Sequence, residues 1–517
     1  MVKQIIYDAI VVGAGASGGW AAKELTEGGM RVLLMDAGET PRQKEWHIFK
    51  QDLLRKIKYR GKVDQRTLSM QRQPIQSKAL AWEWNYHCFV DDIDNPYTTP
   101  EDKPFIWLRS RQVGGRMVAI AHGRQLYRLS DYDFKAASRD GYGEDWPISH
   151  ADLAPYYGRV ERWVGVRGTT ENIPHLPDSA CLPHQEMTYD EELFKTAVES
   201  RWSDRRVIPG RFAPPPSTVP SAQKTGRLTL RSNAIASSII LDTQTGKAKG
   251  VAFIDRYSHK TYEVFAKVVV LCASTLESTR LLLNSATRQH PNGLGNSSGV
   301  LGHYLMDHVN SVTVGGSIPQ PQRFASKQPP GGFYIPQFRN IYDLHPDFIR
   351  GYGIQGYAAR DVPEGSDRVP FAMRAFGEML PRFENFVRLN SDKTDAWGIP
   401  VAHISCAFSD NEYAMAQDKL HTLKEMSEAA GFVVESETLT LAPPGMAFHE
   451  MGTARMGNDP KTSVLNKFNQ SWDVKNLFVT DGSCFVSQGC QNPTLTIMAL
   501  TIRACDYILE QSRKGDL

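Results

Sequence analysis

The chain has 517 residues, of which 41% are hydrophobic and 22% charged, so it can bury a large core and is expected to form two or more domains. A formal net charge of +2, without a long basic run, argues against a nucleic-acid partner. No apolar stretch approaches the ~18 residues of a membrane-spanning helix, and the first strand follows the N-terminus so closely that we expect no export signal.

The cysteines give no sign of a metal or disulfide framework. There are seven, an odd number, and they are widely spaced without a CxxC or CxxCH motif. This pattern favours reduced, buried thiols over a disulfide scaffold, a zinc site or covalently attached haem.

Residues 7–38 form an uninterrupted pattern of strand, glycine turn, helix, second strand and acidic residue. Ala9–Val12 and Arg31–Met35 are short apolar runs typical of a parallel sheet buried on both faces. Asp36 ends the second strand, where its carboxylate can accept hydrogen bonds from a ribose 2′-hydroxyl, and no arginine follows to favour a 2′-phosphate. The pattern predicts a βαβ unit that binds a dinucleotide.

The turn of this unit carries three glycines with different uses. Gly13 makes the tight turn, Gly15 lets the backbone approach a pyrophosphate, and Gly18 lets the helix pack closely on the strand. The following helix N-terminus offers N–H groups and a positive dipole end to an anion. The alternative, an α/β turn without a nucleotide, is disfavoured by the spacing of helix, strand and acid.

Residues 40–104 are polar and aromatic, with basic stretches at 56–62 and 66–78. We interpret the segment as a surface excursion, either a lid or partner contact or simply a solvated charged stretch. It contains an aromatic cluster, made up of Trp82, Trp84 and Tyr86.

The next stretch, residues 109–133, contains a second glycine pair. The backbone amides of Gly114 and Gly115 are placed to receive an anionic or ring-carbonyl group. A helix is then predicted over 146–166, with Ser149 as its N-cap. Residues 168–223 are rich in proline and are predicted to be mostly loop.

From Gly226 the sequence changes to strands. Two strands about a tight turn at Thr245 and Gly246, followed by a buried run, predict a β-meander that returns to the parallel sheet. A helix is predicted over 276–284, and the motif GLGNSSGVLGHYLMDH at 293–308 closes this half of the chain.

Residues 312–440 have a different pattern, which predicts an antiparallel sheet backed by helices, including a long helix over 410–430. Within it, 376–389 and 395–405 are expected to be strands or strand edges that face a substrate.

The chain ends with FHEMGTARMG at 448–457 and LFVTDGSCFVSQGCQNPTLTIMAL at 477–500. The strand Leu477–Thr480 is expected to deliver Asp481 and Gly482 to the carboxyl edge of the parallel sheet, where ligands bind in such folds. A helix entered through Pro493 should follow.

Together these motifs resemble the glucose-methanol-choline (GMC) family of flavoprotein oxidoreductases, over nearly the whole chain. HxxGTxRMG and NPTLT are similar to the branch with pyranose oxidases and glycoside 3-dehydrogenases or 3-oxidases. The resemblance implies an α/β fold, with a Rossmann-like FAD-binding domain and a second α+β substrate domain on an antiparallel sheet. It implies FAD-binding segments 1–50, 101–135, 225–310 and 441–517, and substrate-binding segments 51–100, 136–224 and 311–440.

The resemblance also implies which residues hold FAD: the first glycine turn for the pyrophosphate, Asp36 for the ribose, the second turn for the flavin, and strand ends for the remainder. The implied cofactor residues are Gly13, Gly15, Ala16, Ser17, Gly18, Asp36, Ala37, Arg111, Val113, Gly114, Gly115, Ile235, Ala273, Asp481, Gly482 and Thr494.

Some relatives attach FAD through a histidine four residues after the glycine pair. Here that position is Ala119, so we expect noncovalent FAD. His303 and His308 lie in a motif that the family places near the flavin, and we interpret them as structural, with no metal.

His449 matches the active-site histidine of the family, and Asn492 matches the second member of its catalytic pair. Oxidising a secondary alcohol needs a base for the hydroxyl proton while hydride leaves carbon for flavin N5. Imidazole suits the base, since its unperturbed pKa of roughly 6.5 lies near working pH. The resemblance thus implies oxidation of a sugar or glycoside ring hydroxyl to a ketone, at C3 by preference, with His449 as base and Asn492 orienting the substrate oxygen.

Other functions stay open at this point. A nicotinamide-dependent dehydrogenase would explain residues 13–36 but not the C-terminal motifs. Oxidation of a different alcohol, or a lyase that keeps FAD without redox turnover, is compatible with the family. A glycan-binding module without catalysis ranks last, because it would need neither His449 nor the dinucleotide site.

The chain has no haem or cluster motif, so reduced FAD must give its electrons to oxygen, a quinone or a cytochrome c. Bacterial glycoside 3-dehydrogenases, which this chain resembles in lacking a signal, travel with a small subunit that carries a twin-arginine signal. The resemblance therefore implies either a cytoplasmic location or a periplasmic one reached by co-export with such a partner subunit.

Overall fold

A computed structural model describes residues 6–40, 72–78, 85–119, 124–184, 186–214, 216, 218–319, 331–360 and 369–517. Most of the excursion at 40–104 lies outside these residues. The same holds for the basic stretch 56–62, for residues 66–71 of the second basic stretch, and for Trp82 and Trp84 of the aromatic cluster. Their predicted lid or partner contact stays a prediction.

In chain order the strands of the described residues are β1 (Ile6–Val12), β2 (Val32–Met35), β3 (Arg124–Gln125), β4 (Arg167–Gly168), β5 (Leu182–Pro183), β6 (Ile208–Pro209), β7 (Phe212–Ala213), β8 (Leu228–Arg231), β9 (Ala234–Leu241), β10 (Ala248–Asp255), β11 (Thr261–Leu271), β12 (Val309–Ser317), β13 (Phe333–Ile335), β14 (Tyr352–Ala358), β15 (Pro370–Gly377), β16 (Phe386–Thr394), β17 (Pro400–Ser405), β18 (Val433–Thr438) and β19 (Leu477–Val479). The α-helices are α1 (Ala16–Glu27), α2 (Arg116–Ala119), α3 (Asp131–Phe134), α4 (Ala136–Asp140), α5 (His150–Val164), α6 (Tyr189–Arg201), α7 (Thr218–Lys224), α8 (Thr275–Asn284), α9 (Asp410–Ala429) and α10 (Thr494–Lys514). Short 3₁₀ helices cover Gln76–Lys78, Tyr86–Cys88 and Gly482–Cys484.

The first sheet has the strand order β8-β2-β1-β11-β10-β9, with β19 also paired to β11. β8, β2, β1, β11 and β19 are parallel, whereas β9 and β10 join as an antiparallel meander. The predicted Rossmann-like fold and the meander that returns to the parallel sheet are both confirmed. Because parallel strands all end at one edge, the loops after β1, β2, β11 and β19 meet there.

Both faces of the first sheet are buried, which explains the continuous apolar runs of its central strands. In β1, Ala9 and Val11 face the core that contains α1, whereas Ile10 and Val12 face the core that contains α8. The C-terminal helix α10 lies across α1 and α5. Its Leu495 and Ala499 lie in one of these cores and its Cys505 in the other.

The second sheet has the order β18-β12-β15-β14-β13-β6 and is antiparallel. One face is covered by α6 and α9, with Phe194 from α6 and Met415 and Leu423 from α9 in the shared core. The predicted antiparallel sheet backed by helices is thus confirmed. The exact residue boundaries of the two domains stay a prediction. The buried face of α5, with Leu153 and Val160, belongs to the core of the first sheet.

Two local predictions differ from the structure. Most of the described part of 168–223 lies outside helices, but the stretch includes α6 and α7, which the prediction of mostly loop leaves out. Thr188 caps α6: its side chain accepts from the backbone N–H of Glu191 at 3.1 Å, and the Glu191 carboxylate accepts from the N–H of Thr188 at 2.9 Å. The sequence carries a signal for this helix in T-x-x-E and in the helical spacing of Leu193, Phe194, Ala197 and Val198.

The second error concerns 376–389 and 395–405. Their strands β16 and β17 pair with each other as a separate hairpin and pack beside α8 rather than lining a substrate site. Only Phe376 and Ile399 of these stretches line the cavity described below.

All seven cysteines are free thiols, six of them buried, whereas Cys181 is partly exposed. No helix of the described residues is long and apolar enough to cross a membrane. Within the same residues, no cluster of three or more His, Cys, Asp or Glu side chains has the arrangement of a metal site.

Candidate active site

A cavity of about 800 Å³ extends from the carboxyl edge of the first sheet to the open face of the second. Residues that follow β1, β2, β11 and β19 line one part, and residues of β12 and β15 line another. Its size is that of a site for a cofactor or a sizeable ligand.

The first glycine turn is shaped by close backbone contacts. Gly13 has φ +97°, and a Cβ on Gly18 would lie 1.7 Å from the carbonyl oxygen of Gly13, so neither position admits a side chain. A Cβ on Gly15 would meet no atom within 4 Å, because this Cα faces open space. The amides at the start of α1 therefore lie at the cavity wall without a side chain in front of them.

The second glycine turn is fastened to the first. The N–H of Gly114 donates to the carbonyl of Ala14 at 2.9 Å, and a Cβ on Gly115 would lie 3.0 Å from the Cα of Gly15. Gly115 lines the cavity, whereas Val113 lies in the core behind it. Two stretches a hundred residues apart therefore form one continuous backbone surface.

Asp36 fixes the loop after β2. Its carboxylate accepts from the N–H of Ala14 at 2.9 Å and from that of Gly38 at 2.8 Å, while burial raises its pKa. The backbone N–H of Ala234 donates to the Asp36 carbonyl at 2.9 Å, which brings Ile235 of β9 to the same part of the cavity.

A buried charged cluster lies beside this part. Arg111 pairs with Glu277 at 3.3 Å, and Arg280 pairs with Asp395 at 2.8 Å and with Glu277 at 3.4 Å. Arg109 stacks on Trp107 at 4.0 Å, and burial lowers its pKa to about 10. The Nε of Arg109 is buried without a hydrogen-bond partner among the described residues.

The C-terminal strand β19 delivers Asp481 and Gly482 to the cavity, as predicted by their position. The Asp481 carboxylate is already engaged, since it accepts from Ser278 Oγ at 2.5 Å and from Ser483 N–H at 3.0 Å. Burial raises its pKa. A side chain on Gly482 would collide with Thr275, so the backbone approaches α8 closely here.

The segment that carries His449 is held by one buried carboxylate. Asp307 accepts from the backbone N–H groups of Gly445 at 2.6 Å, Ala447 at 3.1 Å and His449 at 3.0 Å. Burial nevertheless raises its pKa to about 7. Phe448, next to His449, has φ +62°, a strained conformation for a bulky residue.

The side chains of His449 and Asn492 meet in the cavity. The Nε2 of His449 is 3.4 Å from the Nδ2 of Asn492, and the Nδ1 of His449 is 2.7 Å from the Nδ1 of His308. Asn492 also accepts from Nε2 of Gln355, on β14, at 2.7 Å. His303 lies elsewhere, stacked on Phe383 at 3.8 Å with its Nδ1 2.7 Å from the carbonyl of that residue.

The structure therefore brings together most of the residues that the sequence singled out. Those that line the cavity are Gly13, Gly15, Ala16, Ser17, Asp36, Ala37, Arg111, Gly115, Ile235, Ala273, Asp481, Gly482, Thr494, His449 and Asn492. Gly18, Val113 and Gly114 lie behind the wall and shape it. Ser17 turns its hydroxyl away to Thr480 at 2.8 Å and Thr501 at 3.0 Å, so only its backbone is available to a ligand.

Sequence analysis missed several groups at the cavity: Arg109, Arg116, Glu277, Arg280, Arg374 and Glu450. Arg374 carries a usable signal, because it is a charged residue at an outward position of the alternating strand PFAMRAFG. His308 was interpreted as structural, and its contact with His449 was not foreseen.

These features fit FAD. An open approach at Gly15 and the first-turn amides of α1 suit a pyrophosphate, while the carboxylate of Asp36 suits a ribose. The N-terminus of α10, at Thr494, lies in the same cavity as His449 and presents its positive dipole end.

Family models for GMC oxidoreductases match residues 217–310 and 381–501. A 2-methyl-1,2-propanediol dehydrogenase of Mycolicibacterium austroafricanum is 30% identical over 97% of this chain and 95% of its own length. The fructose dehydrogenase large subunit of Gluconobacter japonicus is 26% identical over 98% of both chains. A C-glycoside 3-oxidase of Arthrobacter globiformis is 25% identical over 76% of this chain and 81% of its own.

The crystal structure of pyridoxine 4-oxidase from Mesorbium loti has the same fold, with a TM-score of 0.63, 17% identity, and coverage of 97% of this chain and 98% of the other. The chain belongs to the GMC oxidoreductase family. It is an FAD-binding oxidoreductase that acts on CH–OH groups of alcohols or sugars.

Proposed function

We propose that the protein oxidises a secondary ring hydroxyl of a sugar or glycoside to a ketone, at C3 by preference. The observation that carries the proposal is the pair of His449 Nε2 and Asn492 Nδ2, 3.4 Å apart, in the cavity that also contains the dinucleotide turn. One hydroxyl oxygen can lie within hydrogen-bond distance of both atoms. FAD, when bound, supplies the flavin N5 that accepts the hydride from the carbinol carbon.

The chain's own residues bind and accept the other hydrogen, which is the proton of the substrate hydroxyl. His449 takes the hydroxyl proton, for which a neutral imidazole has a suitable affinity near neutral pH. Asn492 donates from Nδ2 to the same oxygen and so fixes which carbon faces the cofactor. The backbone of His449 is held by Asp307 on its N–H and by Gln488, which donates to its carbonyl at 3.1 Å.

An oxygen-rich substrate is supported by the second sheet. Thr313, Arg374 and Gln355 lie side by side on β12, β15 and β14, and Thr313 and Arg374 line the cavity. Phe371, Met373 and Ala375 point to the core, so Arg374 points away from it. Asn310, Ser311 and Thr438 add further polar groups to this wall. The names of the fructose and C-glycoside relatives agree with a sugar, whereas that of the propanediol relative favours a small diol as the competitor.

Replacing His449 with alanine should slow reduction of bound FAD by substrate ~10²–10⁴-fold, because the proton acceptor is lost. FAD should remain bound, since the cofactor residues are elsewhere in the cavity. Anaerobic stopped-flow absorbance measures the rate constant. The control His403→Ala removes an imidazole that bonds Thr98 at 2.9 Å outside the cavity. Rapid reduction in His449→Ala would remove this residue from the mechanism.

Arg374→Leu should raise the KM for glycosides about 10- to 100-fold with little change in kcat. A hydrogen bond from a charged group contributes roughly 1.5–3 kcal/mol, and the arginine lies away from the proton-accepting atom. Steady-state kinetics over a panel of glycosides and 2-methyl-1,2-propanediol provide the measurement. Arg388→Leu, on the exposed face of β16, is the matched control. An unchanged KM for sugars, or turnover of the diol alone, would contradict a sugar substrate.

FAD is proposed to be noncovalent, because Ala119 occupies the position of the attachment histidine and lies in the core next to Cys88 and Phe89. Acid precipitation should therefore leave all flavin in the supernatant, and a yellow pellet would refute this.

Gly18→Ala should yield protein almost free of flavin, since the added Cβ forces the turn apart. Gly29→Ala, after the same helix, has open space around its Cβ and should keep FAD at the cost of local strain.

The final electron acceptor is proposed to lie outside this chain, as oxygen, a quinone or a cytochrome c. The relative named as a fructose dehydrogenase large subunit supports an assembly with further subunits, such as a small twin-arginine partner. We expect reduced enzyme to reoxidise faster with a quinone or dye than with air. Peroxide produced in stoichiometric amounts at the full turnover rate in air would show an oxidase instead.

A further inference from the structure

A single line of hydrogen bonds runs from β14 of the second sheet, through the proposed catalytic pair, to the loop between β19 and α10. Its steps are Gln355 Nε2 to Asn492 Oδ1 at 2.7 Å, Asn492 Nδ2 to His449 Nε2 at 3.4 Å, His449 Nδ1 to His308 Nδ1 at 2.7 Å, and His308 Nε2 to the carbonyl oxygen of Gly489 at 2.8 Å. The side chain of a histidine, asparagine or glutamine can be placed in two orientations that exchange its donor and acceptor atoms. The backbone carbonyl of Gly489, at the end of the line, allows no such exchange. A backbone carbonyl only accepts.

The positions of the protons along the line follow from the Gly489 carbonyl. Because the Gly489 oxygen accepts, His308 carries its hydrogen on Nε2. His308 is 1% exposed, and burial lowers its pKa to about 4, with the charge of Lys419 acting in the same direction. His308 is therefore neutral at neutral pH, and its Nδ1 holds a lone pair.

Two lone pairs cannot face each other at 2.7 Å. His449 must then carry its hydrogen on Nδ1 and donate it to His308. In the neutral form of His449 this leaves Nε2 as the acceptor. The Asn492 amide is oriented in turn, with Nδ2 towards His449 and Oδ1 towards the Gln355 amide.

We infer that His308 is a positioning residue, which fixes His449 as the Nδ1–H tautomer so that Nε2 is the atom that takes the substrate proton. This inference rests on the proposed role of His449 as the base. The hydroxyl proton moves to Nε2, and His449 becomes an imidazolium whose Nδ1–H still donates to His308. The proton goes no further, because His308 would have to become a buried cation.

The test compares holoenzymes labelled with ¹⁵N in histidine. Long-range ¹H–¹⁵N correlations distinguish the two imidazole tautomers, and the His449 signals are assigned by their loss in His449→Ala. Wild type should show the Nδ1–H form. His308→Leu, which has no acceptor, should populate the Nε2–H form and slow flavin reduction about 10- to 100-fold.

His308→Asn supplies the rescue, because an amide oxygen near the former Nδ1 can accept from His449 and should restore both the Nδ1–H form and most of the rate. It also provides a second variant should His308→Leu fold poorly. His303→Leu is the matched control, a histidine five residues earlier in the same motif that bonds the Phe383 carbonyl and should change neither measurement.

An Nε2–H form in the wild type, or unchanged spectra and rates in His308→Leu, would overturn the inference. Failure of the proposed function has a different signature. If His449→Ala reduces its flavin normally, His449 is not the base, whereas the tautomer seen in the spectra still reports whether His308 sets it.

Discussion

Parallel pairing of β1 with β2 and β11, and of β11 with β19, is the constraint on which the rest of the structure depends. Pairing in this direction buries both faces of the strands, places the helices on either side, and sends every loop after a strand to one edge. The glycine turn, Asp36, Ala273 and Asp481 reach a common cavity for that reason alone. The close contact of Gly115 with Gly15 then adds a stretch that does not belong to the sheet.

The proposed catalytic pair is positioned by a different kind of interaction. His449 and Asn492 lie on loops, and buried polar groups hold the loop of His449 in place. Asp307 accepts hydrogen bonds from three backbone N–H groups of this loop. Arg116 donates to the Phe448 carbonyl at 3.0 Å, and His308 contacts the imidazole of His449. A buried polar group that loses its hydrogen-bond partner destabilises the fold, so such a network allows few alternative arrangements of these loops. The strained φ of Phe448 persists because its neighbours are fixed on both sides.

The sequence allowed good predictions where the information is local. The βαβ unit, the meander and the helix capped by Ser149 each depend on spacing within a few dozen residues, and each is present. The helix α6 was missed because it lies in a proline-rich stretch whose composition favours loop. The hairpin β16–β17 was misplaced because alternation does not say which face meets a ligand. The contact of His308 with His449 joins residues 141 positions apart, and no spacing rule reaches that far. The domain boundaries and the cellular compartment stay predictions.

The two walls of the cavity are built in different ways. One wall contains the backbone turn of Gly13 and Gly18, where a side chain would collide with backbone, so a substitution there displaces the turn itself. The opposite wall is built from side chains on β12 and β15, whose strands keep their pairing whatever residue points into the cavity. Arg374 can change without disturbing the core behind it, since Phe371, Met373 and Ala375 are the residues of β15 that face that core. The side chains of this wall can therefore be exchanged without altering the glycine turns of the other wall.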